Sequence, residues 1–199
     1  MAGKICNDAT DYFQQLAKMS ADLDHEAIDQ YAEMIFSAWR DDHSVFVFGN
    51  GGSAYTASHH VTDYVKTAAV DGQKRLKALS MVDNLGLLTA VGNDISYDDT
   101  LRYPLASFAQ PGDIAEAISC SGNSPNVVAA CEWAKQHGMT VVALTGFSGG
   151  RIADLADLHI NVASENYGVI EDLHLSVGHV IAQTLHRRVN EFAAAGAAG

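Results

Sequence analysis

The sequence predicts an α/β fold, a parallel sheet whose strands alternate with helices and are covered on both faces. Three observations predict it. Short apolar runs recur at intervals, segments of helix length separate them, and two turns of small residues each follow an apolar run and lead into a helical stretch. From Ala9 to Arg40, the residues Phe13, Leu16, Met19, Leu23, Ile28, Tyr31, Ile35 and Trp39 recur every three or four positions, the spacing of one helix or two. The run 44–48 is the first strand and ends directly at a glycine turn. Further strands are expected at 76–82, 114–119, 140–145 and 158–162, and helices at 53–66, 126–137 and 169–192. One residue resists this pattern. Glu116 lies mid-strand, where an unpaired buried carboxylate is costly, so it needs an edge position or a partner from elsewhere in the chain.

No repeat, linker or composition shift divides the chain. A single domain over 1–199 is expected, with an N-terminal helical segment at about 8–40, an α/β core at about 44–192 and a frayed small-residue tail from Ala193 to Gly199. The 199 residues are 48% apolar and include only 3 Pro, enough to bury a sizeable core. Lys+Arg number 12 against Asp+Glu 24, a net charge of −12 that disfavours nucleic acid and anionic membrane as partners. Cys6, Cys120 and Cys131 are odd in number and lack C-x-x-C spacing, which fits a reducing cytoplasm rather than a disulfide framework. The first ten residues lack the pattern of a secretory signal, and no apolar stretch reaches the ~18 residues that span a bilayer.

The two turns are Gly49-Asn50-Gly51-Gly52-Ser53-Ala54 and Ser119-Cys120-Ser121-Gly122-Asn123-Ser124-Pro125-Asn126. Glycine admits close approach of backbone to an anion, and serine hydroxyls add short donors. The free N–H groups of a helix start carry roughly half a positive charge. One such turn is ordinary loop chemistry. Two in matching strand-turn-helix contexts, both at carboxyl ends of strands, point to a phosphate cradle.

Acid/base chemistry at a substrate carbon needs a group that exchanges a proton near neutral pH. His59 and Asp63 are four apart and share a helix face, with His60, Tyr64 and Thr67 on neighbouring stripes. The stretch 171–179 adds Glu171, His174 and His179. Taken singly, each is ordinary for a solvated helix face. As a set, His59, Asp63, Glu171 and His179 have a composition suited to zinc or another borderline divalent ion. On one straight helix Glu171 and His179 would stand roughly 12 Å apart at ~1.5 Å per residue. Either Glu171 precedes the helix, or the two serve different sites or different subunits.

The phrases GNGGSA (49–54), LTAVGND (88–94), ISCSGNSPN (118–126), ALTGFSGG (143–150) and HLSVGH (174–179), in this order and spacing, resemble the sugar isomerase (SIS) domain family, and within it the phosphoheptose isomerase branch. The resemblance runs from about Ser44 to Leu185. It implies a flavodoxin-like three-layer sandwich with a five-stranded parallel sheet and added N- and C-terminal helices. It also implies a homotetramer with active sites at subunit interfaces. Phosphate binding is carried over to Ser119, Ser121 and Ser124, with Ser53 and Asn50, and Cys120, Gly51 and Gly52 complete the two turns as substrate-binding residues. Asp94 falls on an acidic substrate-contacting position, His179 on the catalytic histidine, and His59 on a histidine that binds zinc in some members.

The departures lie on the sugar-facing side. The family's catalytic glutamate is Asp63 here, one methylene shorter. Glu171 stands for a glutamine, Val169 for an arginine, Cys120 for a threonine, and Thr67 for an arginine, with Lys66 beside it. The resemblance thus implies an aldose–ketose isomerase converting sedoheptulose 7-phosphate to D-glycero-D-manno-heptose 7-phosphate through an enediol, with Asp63 and His179 as base and acid. Zinc is the candidate metal, held by His59, Asp63, Glu171 and His179, and no nucleotide cofactor is expected. The rival readings are an isomerase of a different phosphosugar and a SIS module that binds a phosphosugar or a protein without turnover.

Overall fold

Five apolar runs become the strands of one all-parallel sheet: β1 (Ser44–Gly49), β2 (Lys77–Ser80), β3 (Ile114–Ser119), β4 (Thr140–Gly146) and β5 (Leu158–Val162), in the order β2-β1-β3-β4-β5. The computed structural model describes residues 3–197. Between the strands run α3 (Gly52–Thr62), α4 (Leu85–Asp94), α5 (Arg102–Phe108), α6 (Pro125–Gln136) and α7 (Gly150–Leu155); α1 (Ala9–Ala21) and α2 (His25–Asp41) precede the sheet and α8 (Tyr167–Ala197) follows it. The order reverses between β1 and β3. Successive connections leave those two strands in opposite directions, opening a crevice beyond their carboxyl ends. Both small-residue turns lie there.

Alternation along each strand sorts the core into two apolar layers. Val45, Val47, Ile114, Ile118, Val142 and Leu144 face α2, α3 and α8. Phe46, Phe48, Ala115, Ala117, Val141 and Ala143 face α5, α6 and α7 through Leu105, Val127, Ala130 and Ile152. A smaller cluster of Val162, Val169, Ile170 and Leu173 receives Tyr12, Leu16 and Met19 of α1.

The N-terminal pattern, read as one helix or two, is two, because Asp24 caps α2 by accepting from the Ala27 amide. Other boundaries differ from the sequence reading. β2 pairs only over Lys77–Ser80, with the Met81 amide adding one bond to the Val47 carbonyl, while the side chains of Leu76, Met81 and Val82 pack in or against the core. The tail does not fray at Ala193. α8 continues through Ala197, as expected of an alanine-rich stretch with high helix propensity, and Ala198 and Gly199 lie outside the described residues. Among the described residues no helix is long and apolar enough to cross a membrane.

Glu116 is not on an edge. It sits in β3, the central strand, and is fully buried on the face toward α2 and α3. Its partners come from those helices. Oε2 accepts from Tyr31 Oη at 2.6 Å and from Tyr64 Oη at 3.1 Å, while Oε1 lies 2.7 Å from His60 Nδ1. His60 Nε2 donates to the His174 carbonyl at 3.1 Å. With that proton fixed, one further proton lies in the Glu116–His60 bond, so the pair is neutral as a unit whichever side holds it. Burial and the neighbouring Glu116 push the pKa of both tyrosines well above the ordinary phenol range, which keeps both hydroxyls protonated as donors.

These bonds offset a desolvation cost that no single strand residue could carry. Tyr31→Phe keeps the ring and removes the shortest hydroxyl contact to the carboxylate. It is expected to lower unfolding free energy by about 1–3 kcal/mol in urea titration, with an unchanged slope. Tyr64→Phe, which loses a longer bond, should cost less, and the reverse ranking would contradict the geometry.

Candidate active site

The glycine turn enters α3 through positions that reject a side chain. A Cβ at Gly49 would press on the Ile118 carbonyl and on Ser53, and Gly51 adopts φ +56. A Cβ at Gly52 would overlap the carboxylate of Glu171, which comes down from α8 onto this helix start. An acid there meets the positive end of the helix dipole. Partial burial and the adjacent Asp172 raise the Glu171 carboxyl above its ordinary range.

The serine turn is folded on itself. Ser119 Oγ accepts from the Gly122 amide at 3.2 Å, and Ser121 Oγ accepts from the Asn123 amide at 3.3 Å. Gly122 adopts φ +64 with its α-carbon against the Gly149 carbonyl, so no other residue fits there. Ser124 is the N-cap of α6 and makes no side-chain cap bond, with Pro125 in the first turn. Its hydroxyl is therefore available to a ligand at the helix start. Burial and Glu171 push the Cys120 thiol up to about 11, so this residue enters the turn as a neutral thiol.

The two turns are tied by a reciprocal amide pair. Asn50 Nδ2 donates to Asn126 Oδ1 at 2.7 Å and Asn126 Nδ2 donates to Asn50 Oδ1 at 2.9 Å. Tyr97 Oη and Thr100 Oγ1 buttress the pair. Asn50 thus joins the turns to each other, a structural duty in addition to the expected ligand contact. Asn126, Tyr97 and Thr100 were not singled out by sequence reasoning, and only the symmetry of two asparagines in two matching turns could have signalled the pair.

On the next turns of α3, His59 and Asp63 meet His179 of α8. The two Nε2 atoms are 3.1 Å apart, and Asp63 Oδ2 lies 3.5 Å from each. The three ligand atoms all fall within 4.8 Å of one another. Thr67 Oγ1 donates to Asp63 Oδ1 at 2.8 Å, which aims Oδ2 at the histidines. Thr67 sits four residues on from Asp63, the spacing that could have revealed it. Here the helix widens into a π turn, Asp63–Thr67, closed by the Ala68 amide on the Asp63 carbonyl. Such turns recur at functional sites.

Glu171 does not join this cluster within one chain. It shares α8 with His179, and eight residues of helix separate them by roughly 12 Å at 1.5 Å per residue. Asp94 stands exposed at the end of α4, where Oδ1 accepts from Asn93. Among the described residues it makes no hydrogen bond to either turn. A cleft of about 680 Å³ opens beside Ser121 and Asn123 rather than over the histidines. The His59 and His179 side chains are 48% and 44% exposed, so in one chain the cluster is open on its outer side.

Comparison with known proteins identifies the family. The SIS domain profile matches residues 10–146. A probable phosphoheptose isomerase of Thermoplasma acidophilum is 35% identical over 181 residues, spanning 91% of this chain and 99% of that protein. The phosphoheptose isomerase of Akkermansia muciniphila is 33% identical over 179 residues, spanning 90% and 92%. The solved structure of a phosphoheptose isomerase from Francisella tularensis superposes with a TM-score of 0.81 at 28% identity, covering 88% of this chain and 93% of that one. A five-stranded parallel sheet in the order β2-β1-β3-β4-β5, two facing turns at its switch point and these relatives over nearly the whole length lead to one assignment: this chain belongs to the SIS domain family, in its phosphoheptose isomerase branch.

Proposed function

We propose that the chain is an aldose–ketose isomerase of a phosphorylated sugar, interconverting sedoheptulose 7-phosphate and D-glycero-D-manno-heptose 7-phosphate. The observation that supports the reading is that the glycine turn, which faces the serine turn before α6, opens the same helix α3 that leads to the His59–Asp63–His179 cluster shared with α8, in a chain whose relatives are phosphoheptose isomerases. The phosphate is received by Ser119, Ser121, Ser124 and Ser53 with the amides of Gly51 and Gly52. From Ser53 to His59 the helix advances roughly 9 Å at 1.5 Å per residue, which lets one extended sugar chain lie between the cradle and the cluster.

At the reacting end, Asp63 takes a proton from C1 of the ketose while His179 gives one to the C2 carbonyl oxygen. The resulting enediol collapses when Asp63 returns its proton to C2 and His179 removes the proton from the C1 hydroxyl. No atom is gained or lost, and both residues end as they began. Asp94 and Glu171 are assigned to the sugar hydroxyls.

The cluster also fits a divalent cation. Two imidazole Nε2 atoms face each other at 3.1 Å, and a carboxylate oxygen lies too far from either for a hydrogen bond. A point about 2 Å from all three atoms exists, the length of zinc–nitrogen and zinc–oxygen bonds. His59, Asp63 and His179 would hold zinc, which when bound polarises the sugar carbonyl or fixes its hydroxyls. Glu171 would serve as a ligand to the cluster of another copy. This is consistent with a homotetramer whose sites are shared between subunits and with the half-exposed cluster of a single chain.

His179→Gln and Asp63→Asn are each expected to lower the isomerisation rate by about 10² to 10⁴ while phosphosugar affinity stays within a few-fold. Both should also reduce bound zinc measured on the purified protein. Wild-type rates in both variants would remove the acid/base assignment, and a wild type that turns over no phosphosugar would favour the binding-module reading.

Calorimetry of sedoheptulose against its 7-phosphate tests the cradle separately. The phosphorylated sugar should bind and the free sugar bind poorly, because charge-assisted bonds to the serine turn supply the affinity. Equal affinities would remove the phosphate site.

A further inference from the structure

His59 and Asp63 are the immediate chain neighbours of two residues that bond Glu116, and His179 is the neighbour of a glycine packed on one of those two. His60 follows His59 and lies 2.7 Å from Glu116 Oε1 through Nδ1. Tyr64 follows Asp63 and donates to Glu116 Oε2 at 3.1 Å. Gly178 precedes His179, and the His60 ring fills the space where a Cβ at Gly178 would stand. The same ring donates from Nε2 to the His174 carbonyl, one turn earlier on α8. All of these contacts are buried: His60, Glu116 and His174 are each 0% exposed and Tyr64 is 1% exposed.

The outer cluster and the inner one therefore share two helices and occupy adjacent faces of them, about 100° apart around each axis. Glu116 stands on β3, an element that contributes nothing to the cluster itself. Through His60 and Tyr64 it fixes the rotation of the helix carrying His59 and Asp63. Through His60 against Gly178 it fixes how closely that helix approaches α8, which carries His179. We propose that Glu116 is a positioning residue for the His59–Asp63–His179 cluster and that, acting through His60 and Tyr64, it sets the cluster's affinity for a divalent cation. The proposal rests on the reading of that cluster as a cation site. The sign of its effect is fixed by geometry: loss of the inner bonds frees α3 to rotate and retreat, which separates the ligand atoms and weakens cation binding.

The test uses Co²⁺ as the probe, followed by visible absorption and by titration of affinity on the full chain. Wild type should bind Co²⁺, and Asp63→Asn should lose it. Glu116→Leu has similar volume but leaves the hydroxyls and His60 without an acceptor. It is expected to weaken Co²⁺ affinity by about 10–100-fold and to alter the absorption bands, the range seen when groups behind metal ligands are removed. Glu116→Gln should stay within a few-fold of wild type, because its amide oxygen still accepts from the tyrosines and its NH₂ still donates to His60 Nδ1.

Leu105→Ala opens the core on the opposite face of the sheet, where Leu105 is 0% exposed, and serves as a destabilised control expected to bind like wild type. Gly178→Ala pushes on His60 from α8 and should also weaken Co²⁺ binding at least tenfold, which keeps the test decisive if Glu116→Leu does not fold. Wild-type affinity in Glu116→Leu or Gly178→Ala overturns the proposal, as does an equal loss in Leu105→Ala. A wild type that takes no Co²⁺ overturns the cation reading instead, and the proposal falls with it.

Discussion

A carboxylate with no access to water, placed on the central strand of a parallel sheet, dictates much of what surrounds it. Glu116 needs donors on every side, and β3 cannot provide them, so they must come from the helices packed above. That requirement fixes Tyr31 of α2, and His60 and Tyr64 of the α3 segment, to one point of the sheet. A buried ionisable pair is weak ground for stability, because apolar residues of equal volume often serve as well. What it does supply is direction. A methyl contact tolerates sliding of a helix by a fraction of an ångström, whereas a hydrogen bond of 2.7 Å to a fixed carboxylate does not.

The proposed anion site follows a different economy. The chain carries a net charge of −12, and neither turn contains a Lys or Arg. Attraction for a phosphate must then come from oriented amides, hydroxyls and helix starts, whose fields are short-ranged and aimed at one place. Such a site discriminates by shape and donor geometry more than by charge at a distance. Its preorganisation is visible in the reciprocal Asn50–Asn126 pair, which locks two loops 76 residues apart into one surface.

The sheet was legible in the sequence because the buried strands β1, β3 and β4 are largely apolar runs, interrupted in β3 by Glu116, and the two turns were legible because glycine and serine chemistry is local. His59 and Asp63 were legible as a pair through helical spacing alone. The rest depends on contacts that no spacing rule encodes. The partners of Glu116 lie 85, 56 and 52 residues away in the chain, and His179 meets His59 across 120 residues. Sequence identified Glu116 as an anomaly and could not say which residues resolved it. His179 was legible as a candidate ligand from the 171–179 stretch and took its catalytic role from the resemblance, while the placement of Glu171 over Gly52 rather than beside His179 required the path of α8.

The π turn at Asp63–Thr67 is the last turn of its helical segment, and the chain beyond Ala68 is no longer helical. An α-helix advances about 100° per residue, so the wider turn shifts the angular position of the residues within it relative to His59. Upstream, the phase is dictated by the meeting of His59 with α8. Downstream, the chain has only to bring Ala68 and Val70 into the layer that also holds Trp39 and Leu76. The turn works as a swivel at the end of a shaft: because no helix follows it, changes in the chain beyond Ala68 can accumulate without turning the histidine face.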